Sequence, residues 1–147
     1  MKKLSETYKE LGIAFTFPIK IKDSDGNLTY YEDCTGYWRK SEYDSNGNET
    51  YYENSKGYWY KSKYDSNRNL TYHENRNGWQ KREYDADGNE TYYENRNGWY
   101  KKEYDSDGNE TYYEDSKGRQ QGTSRKQTCE GKVVEIDGIK YELKLKN

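Results

Sequence analysis

The chain contains one proline, one histidine, one methionine and two phenylalanines in 147 residues. Its aliphatic side chains are as scarce. Leu, Ile, Val and Phe together number 15, and between Asp44 and Asp115 the only aliphatic side chains are Leu70 and Ala86. A two-layer domain closed around an aliphatic core is therefore excluded for the middle of the chain. No apolar run approaches the roughly 20 residues of a membrane-spanning helix, so no membrane partner is expected. The basic start, Met1 to Glu6, has no apolar stretch behind it, which leads us to expect a cytoplasmic protein. The two cysteines, Cys34 and Cys129, lie far apart without a Cys-x-x-Cys pair, so neither zinc nor a structural disulfide is expected from them.

Tyrosine and charge fill the space left. There are 19 Tyr and 4 Trp, and 35% of residues are charged, with a net charge of −2. That small sum hides a segregation. Residues 1–22 carry +3, residues 118–147 carry +3, and residues 23–117 carry −8.

The middle is a repeat array. Blocks beginning at Asp23, Asp44, Asp65 and Asp85, such as DSNGNETYYENSKGYWYKSKY, follow one another, and a half block from Asp105 ends at Gly118. The periods are 21, 21, 20 and 20, and the extra residue of the longer blocks is Tyr37 or Tyr58, just before Trp. One residue gained beside a turn glycine lengthens a loop without disturbing strand register. Each block has two turn signals, Asp-x-x-Gly-Asn and a second Gly-containing turn, with an Asp or Asn leading each. Arg68 stands where the other blocks have the first turn glycine, which predicts a local irregularity. Between the turns lie two Tyr-, Trp- and Thr-rich strands of about six residues. The expected fold is all-β: an elongated antiparallel meander of hairpin repeats, single-layered or shallowly coiled, with about nine strands spanning about 40 Å.

Strand alternation sorts the side chains into columns. Tyr30, Tyr51, Tyr72, Tyr92 and Tyr112 share a face with the Glu column that includes Glu53, Glu74 and Glu94. Trp38, Trp59, Trp79 and Trp99 share a face with Lys40, Lys61, Lys81 and Lys101. Tyr31, Tyr52, His73, Tyr93 and Tyr113 take the other face of the first strand with the Thr column. Stacked aromatics and cross-strand Lys–Glu pairs, each worth about 0.2–1 kcal/mol, would hold such a sheet.

The ends differ from the array. Residues 1–22 read as a short helix with Leu4, Tyr8 and Leu11 on one face, followed by an apolar strand through Ile13, Phe15, Phe17, Ile19 and Ile21. Residues 119–131 read as a basic loop with Arg119, Arg125 and Lys126. Residues 132–147 read as a capping hairpin of Val134 and Ile136, an Asp137-Gly138 turn, then Tyr141, Leu143 and Leu145. Apolar ends protect sheet edges, and they are also the candidate surfaces for homodimerisation.

The frame Tyr-Asp-x-x-Gly-Asn-x-Thr, with Tyr43-Asp44, Tyr64-Asp65, Tyr84-Asp85 and Tyr104-Asp105 as its dipeptides, resembles the YD repeats of the Rhs family. Gly78-Trp79 and Tyr92-Tyr93 are similar to the aromatic hairpin repeats of choline-binding and clostridial glucan-binding modules. Both resemblances imply a chain of β-hairpins, and the second implies glycan or cell-wall binding.

Near-identical repeats do not converge different residue types on one point, so no enzyme and no cofactor are expected. His73 sits in a Tyr column as a substituted ladder residue. The Asp23 and Asp105 turns alternate oxygen ligands, but their Gly comes fourth rather than sixth and no Glu follows at twelve, so turn chemistry accounts for them without calcium. Trp beside Lys or Arg suggests single-stranded nucleic-acid binding, which the −8 of the array opposes. Tyr and Trp dominate protein interfaces. The expected function is non-enzymatic protein binding, with the Trp column, the Tyr30 column and Glu53, Glu74 and Glu94 as the binding residues and a basic protein surface as the partner. Basic surfaces belong to nucleic-acid-handling complexes, so an extension of this reading is a phage or mobile-element inhibitor of a host defence complex, in the manner of anti-CRISPR proteins.

Overall fold

In a computed structural model, the structure describes residues 2–124, 133–136 and 139–142, the side chains of residues 133–136, 139 and 142 excepted. It opens with helix α1 (Leu4–Glu10), then runs through eleven strands in chain order. These are β1 (Ile19–Lys22), β2 (Leu28–Glu32), β3 (Trp38–Tyr43), β4 (Glu49–Asn54), β5 (Trp59–Tyr64), β6 (Leu70–Asn75), β7 (Gly78–Tyr84), β8 (Glu90–Asn95), β9 (Gly98–Tyr104), β10 (Glu110–Asp115) and β11 (Gln120–Gly122). Spatial order equals chain order, each neighbour antiparallel, so the meander expected from the repeats is the fold. The nine strands expected of the repeats are β2–β10; β1 is the predicted apolar strand before them, and β11 takes residues 120–122 out of the predicted basic loop and pairs them with β10, which makes eleven. Ten strand spacings give a ribbon of about 48 Å.

The turns behave as their chemistry dictates. Asp44 Oδ1 accepts the backbone N–H groups of Asn46 and Asn48 at 2.9 and 3.0 Å, and its Oδ2 accepts the Asn48 amide at 3.0 Å. The Asp23, Asp65, Asp85 and Asp105 turns repeat this pattern. Arg68 does not disturb its turn. It adopts φ 67°, the left-handed value its glycine counterparts take, and its N–H still reaches the Asp65 carbonyl at 3.1 Å. The predicted irregularity is absent because the Asp65–Asn69 hydrogen bonds hold the loop against the unfavourable φ of a side-chain-bearing residue. The one-residue length difference is also absorbed locally: Trp38, Trp59, Trp79 and Trp99 all stand opposite a Glu, namely Glu32, Glu53, Glu74 and Glu94.

One device was not read from the sequence. Register shifts recur between Tyr43 and Glu42, Tyr64 and Lys63, Tyr84 and Glu83, and Tyr104 and Glu103, leaving Thr50, Thr71, Thr91 and Thr111 as bulged residues opposite them. Thr29 occupies the same position at the start of the array. The hydroxyls of Thr29, Thr50, Thr71 and Thr111 donate across the ladder to the carbonyls of Ile21, Glu42, Lys63 and Glu103 at 3.1–3.2 Å. An extra residue moves the side chains before it to the opposite face. Glu49, Glu90 and Glu110 therefore join the face of Tyr52, Tyr93 and Tyr113, where Glu90 pairs with Arg82 at 3.2 Å and Glu110 with Lys102 at 3.0 Å.

The small core lies at the N-terminal end. Leu4, Tyr8 and Phe15 pack on buried Ile19, Tyr30 and Trp38. Helix α1 ends in a Schellman turn at Gly12 (φ 67°), with Ile13 N–H on the Tyr8 carbonyl at 2.8 Å and Gly12 N–H on the Lys9 carbonyl at 3.2 Å. Leu11, predicted to share the buried helix face, is 67% exposed because it caps the helix beyond its last turn. The predicted apolar strand also begins later. Pro18, which has no N–H to give a ladder, precedes β1, and Ile13 and Phe17 are exposed outside it. Strands β12 (Val133–Ile136) and β13 (Ile139–Glu142) form the expected hairpin as a separate two-stranded sheet. Its turn at Asp137-Gly138, together with Leu143, Leu145, Arg125, Lys126 and Cys129, lies outside the described residues; Cys34 is exposed.

Candidate functional site

Antiparallel partners project to the same side of a sheet. Tyr51 opposes Lys61, Tyr72 opposes Lys81 and Tyr92 opposes Lys101, while Glu53, Glu74 and Glu94 oppose Trp59, Trp79 and Trp99. The Tyr, Glu, Trp and Lys columns thus form one continuous face, bringing together all the residues the sequence proposed.

Within it the polar groups are organised along the strands. The Tyr51 hydroxyl donates to Glu53 at 3.0 Å, Tyr112 to Glu114 at 2.8 Å and Tyr30 to Glu32 at 2.8 Å, each two residues on. Burial, and then these carboxylates, push the Tyr30 hydroxyl up to about 12 and raise Tyr51 and Tyr92. The Lys column stands opposite the Glu column in register, as with Lys40 and Glu53. Its ion pairs, however, run along the strand, Lys40 to Glu42 at 2.5 Å and Lys81 to Glu83 at 2.6 Å, rather than across it. Lysine ammonium groups also cover the rings: Lys40 over Tyr51 at 5.5 Å, Lys61 over Trp59 at 6.0 Å, Lys81 over Tyr92 at 5.2 Å and Lys101 over Trp99 at 5.6 Å. Ring-on-ring stacking belongs to the opposite face, where Tyr52 stacks on Tyr60 at 5.4 Å and Tyr93 on Tyr100 at 5.2 Å.

Both ends of this Tyr–Glu–Trp–Lys face are covered and its middle is not. At the first repeat α1 lies on it: Glu32 is 1% exposed, accepting the Ser5 N–H at 3.0 Å and the Ser5 hydroxyl. At the last repeat Ser124 donates to Glu103 at 2.5 Å, and Tyr112 is buried. Tyr51, Tyr72, Tyr92, Trp59 and Trp99 are half-buried, and Trp79 is exposed. Trp38 and Tyr30, proposed as binding residues, are instead core residues beneath α1, because the first repeat is the one the helix covers.

The meander also segregates charge. Every Asp-x-x-Gly-Asn turn falls on one long edge of the ribbon and every second turn on the other. The first edge carries Asp23, Asp25, Asp44, Asp65, Asp85, Asp87, Asp105 and Asp107 against Arg68; the second carries Lys56, Arg76, Arg96 and Lys117 against Asp33 and Asp115. Turn hydrogen bonds keep the leading carboxylates ionised: the Asn48 side chain lowers Asp44, and at Asp23 the Asn27 bonds outweigh an opposing desolvation. His73 stands in the ladder as expected, its ring 5.5 Å from Tyr60, with Ser62 Oγ 3.1 Å from Nδ1.

Among the described residues no cluster of three or more His, Cys, Asp or Glu is arranged to hold a metal ion, and no helix is long and apolar enough to cross a membrane. No protein-family model and no curated protein matches the chain.

Proposed function

We propose that this is a non-enzymatic binding protein that presents its acidic edge and the adjoining Tyr–Glu–Trp–Lys face to a basic surface on a partner protein. The observation that supports this reading is the segregation of eight aspartates onto one edge of a ribbon whose central aromatic columns stay accessible. Rigid rings with few rotamers cost little to order on binding, and a single-signed edge steers a partner of opposite charge. A basic groove that ordinarily holds nucleic acid is the surface such an edge suits. Inhibition of a nucleic-acid-handling complex, a host defence complex included, is the form of this function we favour.

The test is affinity capture from host lysate with the tagged full chain, with and without nuclease, beside a variant carrying Asp25→Asn, Asp87→Asn and Asp107→Asn. A stoichiometric, nuclease-resistant protein, retained by the parent and lost both at high salt and with the variant, is the expected result. Capture that disappears with nuclease overturns the reading in favour of nucleic acid, and capture indifferent to the three charges overturns the role of the edge.

A further inference from the structure

On the face opposite the Trp column, rings on β4, β5 and β6 and again on β8, β9 and β10 form a ladder running across the sheet. Tyr52 stacks on Tyr60 at 5.4 Å and Tyr60 lies tilted against His73 at 5.5 Å; beyond β7, Tyr93 stacks on Tyr100 at 5.2 Å and Tyr100 on Tyr113 at 6.0 Å. The register places Gln80 of β7 between His73 and the next repeat, where β5 has Tyr60 and β9 has Tyr100. From β4 to β10 the column lacks a ring on β7 alone; β3, outside that stretch, carries Arg39 at the same position.

The missing ring on β7 leaves space. A cavity of about 330 Å³ lies over Gln80, lined by His73, Tyr93, Asn75, Asn95 and Arg96. The corresponding cavity one repeat on, where Tyr100 stands, measures about 160 Å³. The same repeat has also lost the ring's anchor. The Tyr60 and Tyr100 hydroxyls donate to Glu49 and Glu90, and the position equivalent to those glutamates beside Gln80 is Leu70. At the rim the Arg96 guanidinium lies directly against Gly78 (φ 139°), where any Cβ would displace it. That guanidinium is suited to lie on an aromatic face.

We propose that the cleft over Gln80 is a binding site for one planar aromatic ring, presented as a side chain of the partner protein and seated between His73 and Tyr93. The occupant is identified by the chain's own use of this position, a tyrosine ring at Tyr60 and at Tyr100. In the two complete stretches the middle ring lies 5.2–6.0 Å from its neighbours, the spacing a ring over Gln80 would take if the Gln80 side chain, now accepting the Tyr93 hydroxyl at 3.3 Å, gives way, and it is within the range of offset stacking. The choice of a side chain over a free aromatic compound rests on the protein-binding reading; the site itself does not.

The site is tested without the partner, by titrating the full-length protein with p-cresol, the tyrosine side chain as a free molecule, and following amide shifts by NMR. Saturable shifts are expected at His73, Gln80 and Tyr93. Gln80→Tyr should complete the ladder, keep the thermal midpoint at or above the parent's, and weaken p-cresol binding at least tenfold. Tyr100→Gln, in a sample shown to be folded by circular dichroism, should open a second cleft and bring new shifts at Tyr113. No saturable shifts at His73 and Tyr93, an unchanged titration in Gln80→Tyr, or no second site in Tyr100→Gln would each overturn the proposal. Absence of p-cresol binding to the parent, with partner capture intact, refutes the cleft alone. Binding of p-cresol together with capture unaffected by Gln80→Tyr refutes the side-chain occupant.

Discussion

The backbone N–H of Ser5 donates to the Glu32 carboxylate at 3.0 Å, across 27 residues of sequence, and the Ser5 hydroxyl takes the other oxygen. With the Tyr30 hydroxyl also donating at 2.8 Å, a carboxylate only 1% exposed has its hydrogen bonds supplied by the helix and strand that bury it. This contact fastens α1 to the first repeat and covers the end of the Tyr–Glu–Trp–Lys face.

Removing the hydroxyl leaves a buried carboxylate short of a donor. Ser5→Ala is expected to lower stability by roughly 1–3 kcal/mol, read as a lower thermal midpoint, with Trp38 becoming more accessible to a fluorescence quencher. An unchanged midpoint would show that the helix is held by its apolar contacts alone.

Acid should loosen the turns and this anchor together. Burial opposes ionisation at Glu32, but the Ser5 and Tyr30 donors outweigh it and hold the carboxyl below its usual range. At Asp115 burial likewise opposes, and the Arg119 guanidinium and the Lys117 and Arg119 N–H groups hold it at about 2. A folded-state value below the unfolded one stabilises above the unfolded pKa and is lost as pH falls through the folded one. The contribution of Asp115 should therefore fade between about pH 4 and pH 2. Asp115→Asn should flatten the acid limb of a plot of unfolding midpoint against pH; an identical limb would contradict the assignment.

Alkali should act through the tyrosines. Burial, with a nearby carboxylate, raises Tyr30 to about 12, and burial followed by Glu49 and Glu90 raises Tyr60 and Tyr100. Here the folded-state value lies above the unfolded one, so the stabilisation is whole below about pH 10 and is lost as pH rises through the folded values. Phenolate absorbance should show these three rings titrating above the ordinary tyrosine range, and stability should fall above pH 10. Removing the partner with Glu90→Gln should lower the Tyr100 value, and no change would deny the pairing.

Arg68 offers a gain. Its φ of 67° suits glycine, so Arg68→Gly is expected to raise stability by about 0.5–1 kcal/mol. The reverse change at the matching turn, Gly47→Ala (φ 79°), should lower stability by a similar amount. Paired thermal melts measure both; a destabilised Arg68→Gly would mean that the arginine side chain makes a contact worth more than its strain.

Most of the architecture was legible in the sequence because it is local. Asp-x-x-Gly-Asn turns form from side chains two and four residues away, alternation assigns each Tyr, Glu, Trp and Lys to a column, and a 20- or 21-residue period brings Trp99 opposite Glu94 as it brings Trp38 opposite Glu32. The face itself follows from register alone.

Less was legible wherever a side chain answers to a neighbour on another strand. The bulges at Thr50, Thr91 and Thr111 move Glu49, Glu90 and Glu110 to the ladder face, an exchange that strict alternation misassigns. Lys40 and Lys81 pair along their strands with Glu42 and Glu83, whereas register sets the Glu column opposite them. The visible signal for the bulge was the Thr that recurs in every repeat, whose hydroxyl needs a carbonyl to meet.

By itself, then, the sequence determined a meander with the Asp23, Asp44, Asp65, Asp85 and Asp105 turns on one edge, since period and turn chemistry need no distant partner. Only the tertiary structure decided that Tyr30 and Trp38 are core while Tyr72 and Trp79 remain accessible, and that Gln80 leaves a gap of one ring. The residues in each column are nearly alike. What separates them is whether α1, or a neighbouring ring, has come to lie on top.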